Sequence, residues 1–497
     1  MNMTRMNGDD PNFSYLLSPL AFLSNLVEDD EQLTQLKEYE AWWRAKGVAI
    51  SEAVDRAGTP WLRMFDQFGK RTDEILFPAE YWTMLKQGYK TGAIWRPFAN
   101  EAGGSLRMHY LIDYVTCFFD AGLGCPYIVS LSTTVPLKKY GASELQGKFL
   151  PHLLRRDGTN WQGATWMTEI RGGSDLGANV ETVARPEGDR WILNGDKYFA
   201  SNVGAELAIV AARPEGSPET PQGLALFLVP RYREDGRLNY FIRRLKNKIG
   251  TRSVPTGEVE LRHSEAYLLG KQEWGIYLIL ESLNLSRVGN TVGSVALAQR
   301  ALADAFTFAQ SRVAFGKAIL DHPLLRRQFK DGFAQLQAAR ALMWEAMLLL
   351  DEVWQETPRY SDHYHLFRLV THLAKYWTAE LAVQFAKWNM EVHGGMGVLA
   401  EFTAERWLRE AMILPIWEGT PHRQMLDGLE VMERKRAHQL LFAYLAPHAD
   451  KEESETLLAR VDQHLRLPTE EKEAGIESVF GELASFAANT LVKKYAE

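Results

Sequence analysis

A change of hydrophobic period constrains this chain more than any other feature. From Trp274 onward, apolar residues recur at helical spacing: Ile276, Ile279, Leu280 and Leu283; then Leu336, Ala339, Met343, Ala346, Met347 and Leu350; then Leu366, Leu369, Val370, Leu373 and Trp377. Each set lines one stripe of a helix, and long stripes bury themselves against one another, which predicts a helix bundle. Between about 161 and 275 the period breaks into short apolar runs with turn signals: Trp191-Ile192-Leu193, Leu207 to Ala212, and Leu224 to Val229 before Pro230. That pattern predicts a β-domain, with Asn194-Gly195 as the hairpin turn between two adjacent strands. Residues 12 to 160 read as mostly helical, with Pro60, Pro78, Pro97 and Pro136 as boundaries. The expected architecture is α+β and multidomain. It has an N-terminal all-helical domain (1–160), a middle β-domain, barrel or sandwich (161–275), a C-terminal four-helix-type bundle (276–435) and an acidic helical extension (436–497).

A chain of 497 residues is too long for one core and suggests two to four packed domains. It contains no run of about 18 apolar residues, and Met1 to Pro11 is polar and acidic, so neither a membrane span nor a signal peptide is expected and a cytoplasmic location is. Cys117 and Cys125 are too few for a disulfide framework or a cysteine metal site and read as structural thiols. His109 and His152 lack partners at ligand spacing, so they read as core or surface residues and no metal is expected. The net charge of −7 argues against a general nucleic-acid binder. The run Arg243, Arg244, Lys246, Lys248, Arg252 is either a solvated strand face or an attractor of phosphates.

Chemistry concentrates in three stretches. In Gln162 to Gly177 a strand pattern passes into a loop where Gly172, Gly173 and Gly177 surround Ser174 and Asp175. Such a loop is an ordinary turn or an anion cradle. The second stretch is Asn194 to Asn202, and the third is Ile416-Trp417-Glu418-Gly419-Thr420, followed by Pro421. Thr420 as N-cap and Pro421 at the first helical position signal a helix start, and Glu418 beside it would by itself compensate the positive helix end. Met-Thr-Glu before Gly-Gly-Ser-Asp, then Asn-Gly-x-Lys, then Trp-Glu-Gly-Thr, in that order, resembles the acyl-CoA dehydrogenase superfamily of FAD enzymes. The likeness spans roughly residues 60 to 435 and is closest to the alkylation-response, AidB-like branch, which Gly69 to Phe77 also resembles as a structural connection.

That resemblance implies a flavin lying between the β-domain and the C-terminal bundle. It implies Met167 and Thr168 at the isoalloxazine edge, Phe199 beside the ring, and the Ser201 hydroxyl toward N5, with Ser174, Thr420 and His422 as further cofactor positions. Donors at these places stabilise the reduced flavin. Phe199 stands where many families have tryptophan, and either ring supplies a flat apolar surface. Arg312, Phe315, Glu391, Gly394 and Gly395 resemble the diphosphate and adenosine contacts, completed in relatives by a neighbouring subunit; a homotetramer built as a dimer of dimers is implied. Glu391 replaces a frequent glutamine.

The resemblance also implies Glu418 as the base that removes the α-proton of an acyl-CoA thioester while a hydride leaves the β-carbon. Ser174, Arg287, Trp417 and Gly419 are implied at the substrate. Some members carry the base at the position matched here by Ser286, where a serine cannot serve. Trp417 in place of tyrosine should crowd the acyl pocket and favour a short or unusual acyl group. Electron-transferring flavoprotein is the implied oxidant. Two other functions compete with dehydrogenation: an AidB-like flavoprotein of the DNA-alkylation response that binds DNA with little turnover, and a flavin oxidase or monooxygenase. The tail Ala437 to Glu497 holds six Lys/Arg against eleven Asp/Glu, which would repel DNA and makes a nucleic-acid partner unexpected.

Overall fold

The computed structural model describes residues 16–23, 27, 29–99 and 104–495. The chain divides into two compact units, Ala41–Ser286 and Met1–Glu40 with Arg287–Glu497.

The first unit combines helices with a closed barrel. Among its helices, Gly124–Tyr140 is buried at every residue from Gly124 to Leu137. It runs straight through Pro136, which the sequence marks as a boundary; complete enclosure outweighs the one hydrogen bond that proline removes. Cys117 and Cys125, on neighbouring helices, are buried thiols. The helical region also contains a hairpin, β1 (Trp61–Phe65) with β2 (Arg71–Leu76), where the sequence suggests only a connection.

Seven further strands of this unit form the β-domain: β3 (Gly163–Trp166), β4 (Val183–Glu187), β5 (Arg190–Ser201), β6 (Leu207–Pro214), β7 (Ala225–Pro230), β8 (Phe241–Leu245) and β9 (Thr256–Leu268). The pairings run β3-β6-β4-β5-β9-β7, and β7 pairs back onto β6, closing a barrel to which β3 and β8 are attached. Every residue of β6 is buried, and residues from β5, β6, β7 and β9 share one apolar core, among them Leu193, Ala208, Val210, Phe227 and Val259. β3 is anchored from behind by the buried helix: Ser130 Oγ accepts from the Gly163 amide at 3.0 Å, and Thr133 Oγ1 donates to the Ala164 carbonyl at 3.0 Å.

The turn expected at Asn194-Gly195 is not there. Both residues lie inside β5, and the β4–β5 turn is Gly188-Asp189, with Gly188 at φ +63°. Asn194-Gly195 instead faces a bulge. The β5–β9 register shifts between Leu193 and Gly195, His263 adopts φ +54°, and its amide donates to Asn194 Oδ1 at 2.9 Å. Gly195 sits at φ +152°, where a Cβ would lie 2.6 Å from Thr182 Cα. The glycine thus serves a close strand contact, which the dipeptide alone does not distinguish from a turn.

The second unit contains the long helices Pro323–Val353 and Asp362–His393 and the shorter Pro421–Lys435. The stripes expected on the two long helices are buried, apart from the partly exposed Trp377. The acidic tail is helical and belongs to this unit: Ala437–Leu445, Lys451–Leu465 and Thr469–Lys494. It is pinned by buried Glu345, which accepts from Tyr444 Oη at 2.5 Å, Tyr495 Oη at 2.7 Å and Lys494 Nζ at 2.9 Å. Among the described residues, no helix is long and apolar enough to cross a membrane.

Candidate active site

In the barrel unit, the Met-Thr-Glu segment leaves β3 and runs beside the end of β5. The Tyr198 amide donates to the Thr168 carbonyl at 3.0 Å, and Trp166 Nε1 donates to the Ser201 carbonyl at 3.0 Å. Met167 is buried, while Thr168 and Ser201 are half-buried. Phe199, 55% exposed, is held edge-on by Tyr198. Met167, Thr168, Phe199 and Ser201 are therefore brought together, whereas Ser174 lies exposed on the following loop.

The clamp between the two segments is an ion pair that the motifs contain but whose role the sequence does not reveal. Lys197 Nζ lies 2.6 Å from Glu169 Oε1 and donates to the Ala211 carbonyl at 2.8 Å, with both side chains buried. Glu169 also accepts from the amides of Glu181 (2.7 Å) and Thr182 (3.2 Å) and from Thr182 Oγ1 (2.5 Å). Burial lowers the Lys197 pKa, and the Glu169 charge opposes that shift. A full set of donors makes this carboxylate a rigid post at the root of the glycine loop. Opposite charges placed at Met-Thr-Glu and Asn-Gly-x-Lys, each among apolar strand residues, were the available signal.

The basic run on and after β8 is a surface of ion pairs. Arg243 meets Asp196 (2.9 Å) and Glu260 (3.5 Å), and Arg244 meets Glu258 (2.7 Å). Lys246 bonds Glu258 at 2.5 Å and lies 3.1 Å from the Tyr198 ring centroid. Lys248 donates to Thr251 and Thr256 hydroxyls at 3.0 and 3.1 Å.

In the second unit, Glu418 stands on the turn before Pro421–Lys435, whose N-cap Thr420 accepts from the Arg423 amide as the sequence suggests. Glu418 has φ +56° and Gly419 φ +97°. Five polar contacts brace this turn. Gln424 Nε2 donates to the carbonyls of Glu418 and Gly419, each at 2.9 Å, and Arg287 Nε reaches the Glu418 carbonyl at 3.3 Å. Lys375 Nζ donates to the carbonyls of Pro415 (2.7 Å) and Gly419 (2.6 Å). Gln424 is held in turn by His372 Nδ1 at 2.9 Å, and Arg287 by Asp427 at 3.0 Å. Glu418 keeps a little accessible surface, yet burial pushes its carboxyl up to about 7 while Arg287 and Lys375 pull it down. Trp417 and Gly419 are half-buried beside it, and His422 is exposed. Lys375, His372, Gln424 and Asp427 escape the sequence reading, although a lysine inside the apolar stripe Leu366 to Trp377 is a visible anomaly.

A second group lies where two helices of this unit end. Arg312 leads into a two-residue hairpin, β10 (Val313–Ala314) with β11 (Lys317–Ala318), whose turn Phe315-Gly316 has φ +53° and +83°. Phe315 is 96% exposed. Glu391 is exposed and paired with Lys387, and Gly394 and Gly395 have open space where a Cβ would stand. Phe308 stacks on His393 at 4.2 Å, which places the Arg312 hairpin and the glycine turn near one another.

Three family models match in order: the adaptive response protein AidB N-terminal domain over residues 15–157, the acyl-CoA dehydrogenase middle domain over 164–264, and the acyl-CoA dehydrogenase C-terminal domain over 273–432. The chain is 30% identical to the putative acyl-CoA dehydrogenase AidB of Escherichia coli over 431 residues, 83% of this chain and 76% of that protein. It belongs to the acyl-CoA dehydrogenase family, in its AidB-like branch. Homologues in this family bind FAD. Among solved structures, Bd2924 in its apo form matches with a TM-score of 0.87 at 28% identity, covering 98% of this chain and 97% of that one. Caenorhabditis elegans ACDH-11 in complex with C11-CoA matches with a TM-score of 0.82 at 25% identity, covering 98% and 87%.

This AidB-like chain has residues that fit a flavin. The edge formed by β3 and β5 presents a half-exposed flat ring, Phe199, flanked by the hydroxyls of Thr168 and Ser201. Nearby on β3, Thr165 Oγ1 is buried with no hydrogen-bond partner. An apolar surface with hydroxyl donors at its margin is the environment an isoalloxazine requires.

Proposed function

We propose that the chain is an FAD-dependent acyl-CoA dehydrogenase that forms a trans-2-enoyl thioester, with Glu418 as its base. The observation that carries this reading is the state of the Glu418 carboxyl, raised to about 7 by burial on a turn held in the left-handed region. A base is most effective when its pKa lies near the working pH, and a fixed turn holds it for one direction of attack. Glu418 takes the α-proton. The electron pair left by the broken α C–H bond forms the new α,β double bond as the β C–H bond breaks and its hydrogen departs as hydride. Met167, Thr168, Phe199 and Ser201, with Arg312 at its diphosphate, would hold a flavin that would supply the acceptor for that hydride. Ser174, Phe315, Glu391, Gly394, Gly395, Thr420 and His422 remain assigned to the cofactor, and Ser174, Arg287, Trp417 and Gly419 to the substrate.

The complex of the nematode relative with C11-CoA supports an acyl-CoA as the substrate class. Trp417, half-buried next to the base, argues for a short or unusual acyl group here. Electron-transferring flavoprotein as oxidant and a homotetramer belong to the same proposal. The test is anaerobic mixing with a series of acyl-CoAs: the parent should bleach with a cognate thioester. Glu418→Gln should keep FAD and bind acyl-CoA but reduce the flavin about 10² to 10⁴ times more slowly. Bleaching of the variant at the parent's rate would remove Glu418 from the mechanism.

The match of residues 15–157 to the AidB N-terminal domain favours one further reading, an alkylation-response flavoprotein with little turnover. A parent that bleaches with no acyl-CoA but binds duplex DNA would establish it.

A further inference from the structure

Under the Glu418 turn lies a buried cation to which the chemistry above assigns no part. Lys375, on the helix Asp362–His393, is fully buried, and its ammonium donates to the Pro415 and Gly419 carbonyls at 2.7 and 2.6 Å. Those carbonyls bracket Glu418. A non-glycine residue in the left-handed region is strained by about 1 kcal/mol, so the turn needs bonds on both sides to stay where it is. Gln424 and Arg287 supply bonds to the Glu418 carbonyl, and Lys375 ties the residues on either side of it.

Charge gives Lys375 a second part. The ionic groups facing this cluster are Arg287 from Gly275–Ser311, Asp427 and Arg423 from Pro421–Lys435, and His372, Arg368 and Glu380 on the helix of Lys375 itself. Asp427 is bonded to both Arg287 (3.0 Å) and Arg423 (2.7 Å), so one carboxylate is shared by two guanidiniums, and Arg287 acts on the Glu418 carboxyl together with Lys375. His372 is neutral, its pKa lowered by burial to about 3. Lys375, by contrast, bonds two carbonyls, which orient an ammonium without neutralising it.

We propose that Lys375 is a positioning residue for Glu418: it fixes the 415–419 turn, and its positive charge offsets the burial of the Glu418 carboxylate. This inference rests on the reading of Glu418 as the base. It agrees with the lysine itself, which burial lowers to about 7 and Glu418 pulls back up. The two groups titrate as a pair, the lysine holding its proton when the carboxyl has lost its own.

The experiment reads the carboxyl directly in the full-length, FAD-loaded protein. Infrared difference spectra against pH, with Glu418→Gln subtracted, follow the ionisation of Glu418 without any turnover. Lys375→Met should raise its apparent pKa by about one unit or more, a tenfold fall in the ratio of ionised to neutral carboxyl, and Lys375→Gln should do the same. Lys375→Arg should leave it close to the parent value. If Lys375→Met does not fold, the Gln and Arg variants decide between charge and shape. An apparent pKa unchanged or lowered in the neutral variants overturns the proposal. The two ideas fail separately: rapid bleaching by Glu418→Gln removes the base, whereas a Glu418 titration indifferent to Lys375 removes only the positioning role.

Discussion

Lys197 and Glu169, from two different motifs, meet at 2.6 Å inside the barrel unit and hold the Met167-Thr168 segment against the end of β5. Removing one member leaves the other as a buried, uncompensated charge, which typically costs about 3 to 5 kcal/mol. Lys197→Met and Glu169→Gln should each be strongly destabilising. The double variant should lose much less than their sum, with a coupling of about 1 to 3 kcal/mol from urea unfolding. Strict additivity would mean that the pair is only a geometric coincidence.

Gly195→Ala tests the reassignment of Asn194-Gly195 from turn to strand. A methyl group there meets the Thr182 backbone at 2.6 Å, with φ at +152°. Overpacking of this kind costs about 1 to 3 kcal/mol, and backbone strain adds to it. Gly188→Ala, at the true turn with nothing within 4 Å of the added carbon, should cost less. Equal melting temperatures for the two variants would contradict the register.

Acid should destabilise the fold through histidines kept neutral. His109 Nδ1 meets the Ala93 carbonyl at 2.6 Å and His372 Nδ1 meets Gln424 at 2.9 Å, and burial lowers their pKa values to about 4 and about 3. Each folded value lies below the unfolded one of about 6.5, so the unfolded chain binds more protons as the pH falls. Their contribution is complete above that value and is lost progressively as the pH falls toward the folded pKa. At pH 5 the loss amounts to about 2 kcal/mol per histidine. The difference in urea midpoint between pH 7 and pH 5 should shrink in His109→Gln; a parent-sized difference in that variant would refute the assignment.

Glu345 fastens the tail. Glu345→Ala strips the acceptor from Tyr444, Lys494 and Tyr495 at once. We expect a loss of about 2 kcal/mol or more and faster amide exchange in the last turns of Thr469–Lys494, with the barrel unaffected. Unchanged exchange at that helix end would show that apolar packing alone holds it.

Duplex DNA should bind weakly at physiological salt. The basic residues Arg243, Arg244 and Lys246 already face Asp196, Glu258 and Glu260, and the tail carries eleven acidic residues against six basic ones. Counterion release needs basic side chains free to meet phosphates. Submicromolar affinity with a steep salt slope would reveal a basic surface elsewhere.

The sequence by itself determined the order of helix, β and helix, because hydrophobic period depends only on neighbours along the chain. It also carried the cap Thr420-Pro421, whose hydrogen bond spans three residues, and the ordered motifs that reveal the family. Tertiary structure alone decided what depends on distant partners. Pro136 continues a helix because its surroundings enclose it, and Asn194-Gly195 becomes a strand because β9 bulges opposite it. Glu169 finds Lys197 on a neighbouring segment of the barrel unit, and Glu418 acquires its raised pKa only when separate helices bury it, against the downward pull of Arg287 and Lys375. A side chain's charge state is a property of its surroundings, and in a folded chain those surroundings come from residues far apart in the sequence.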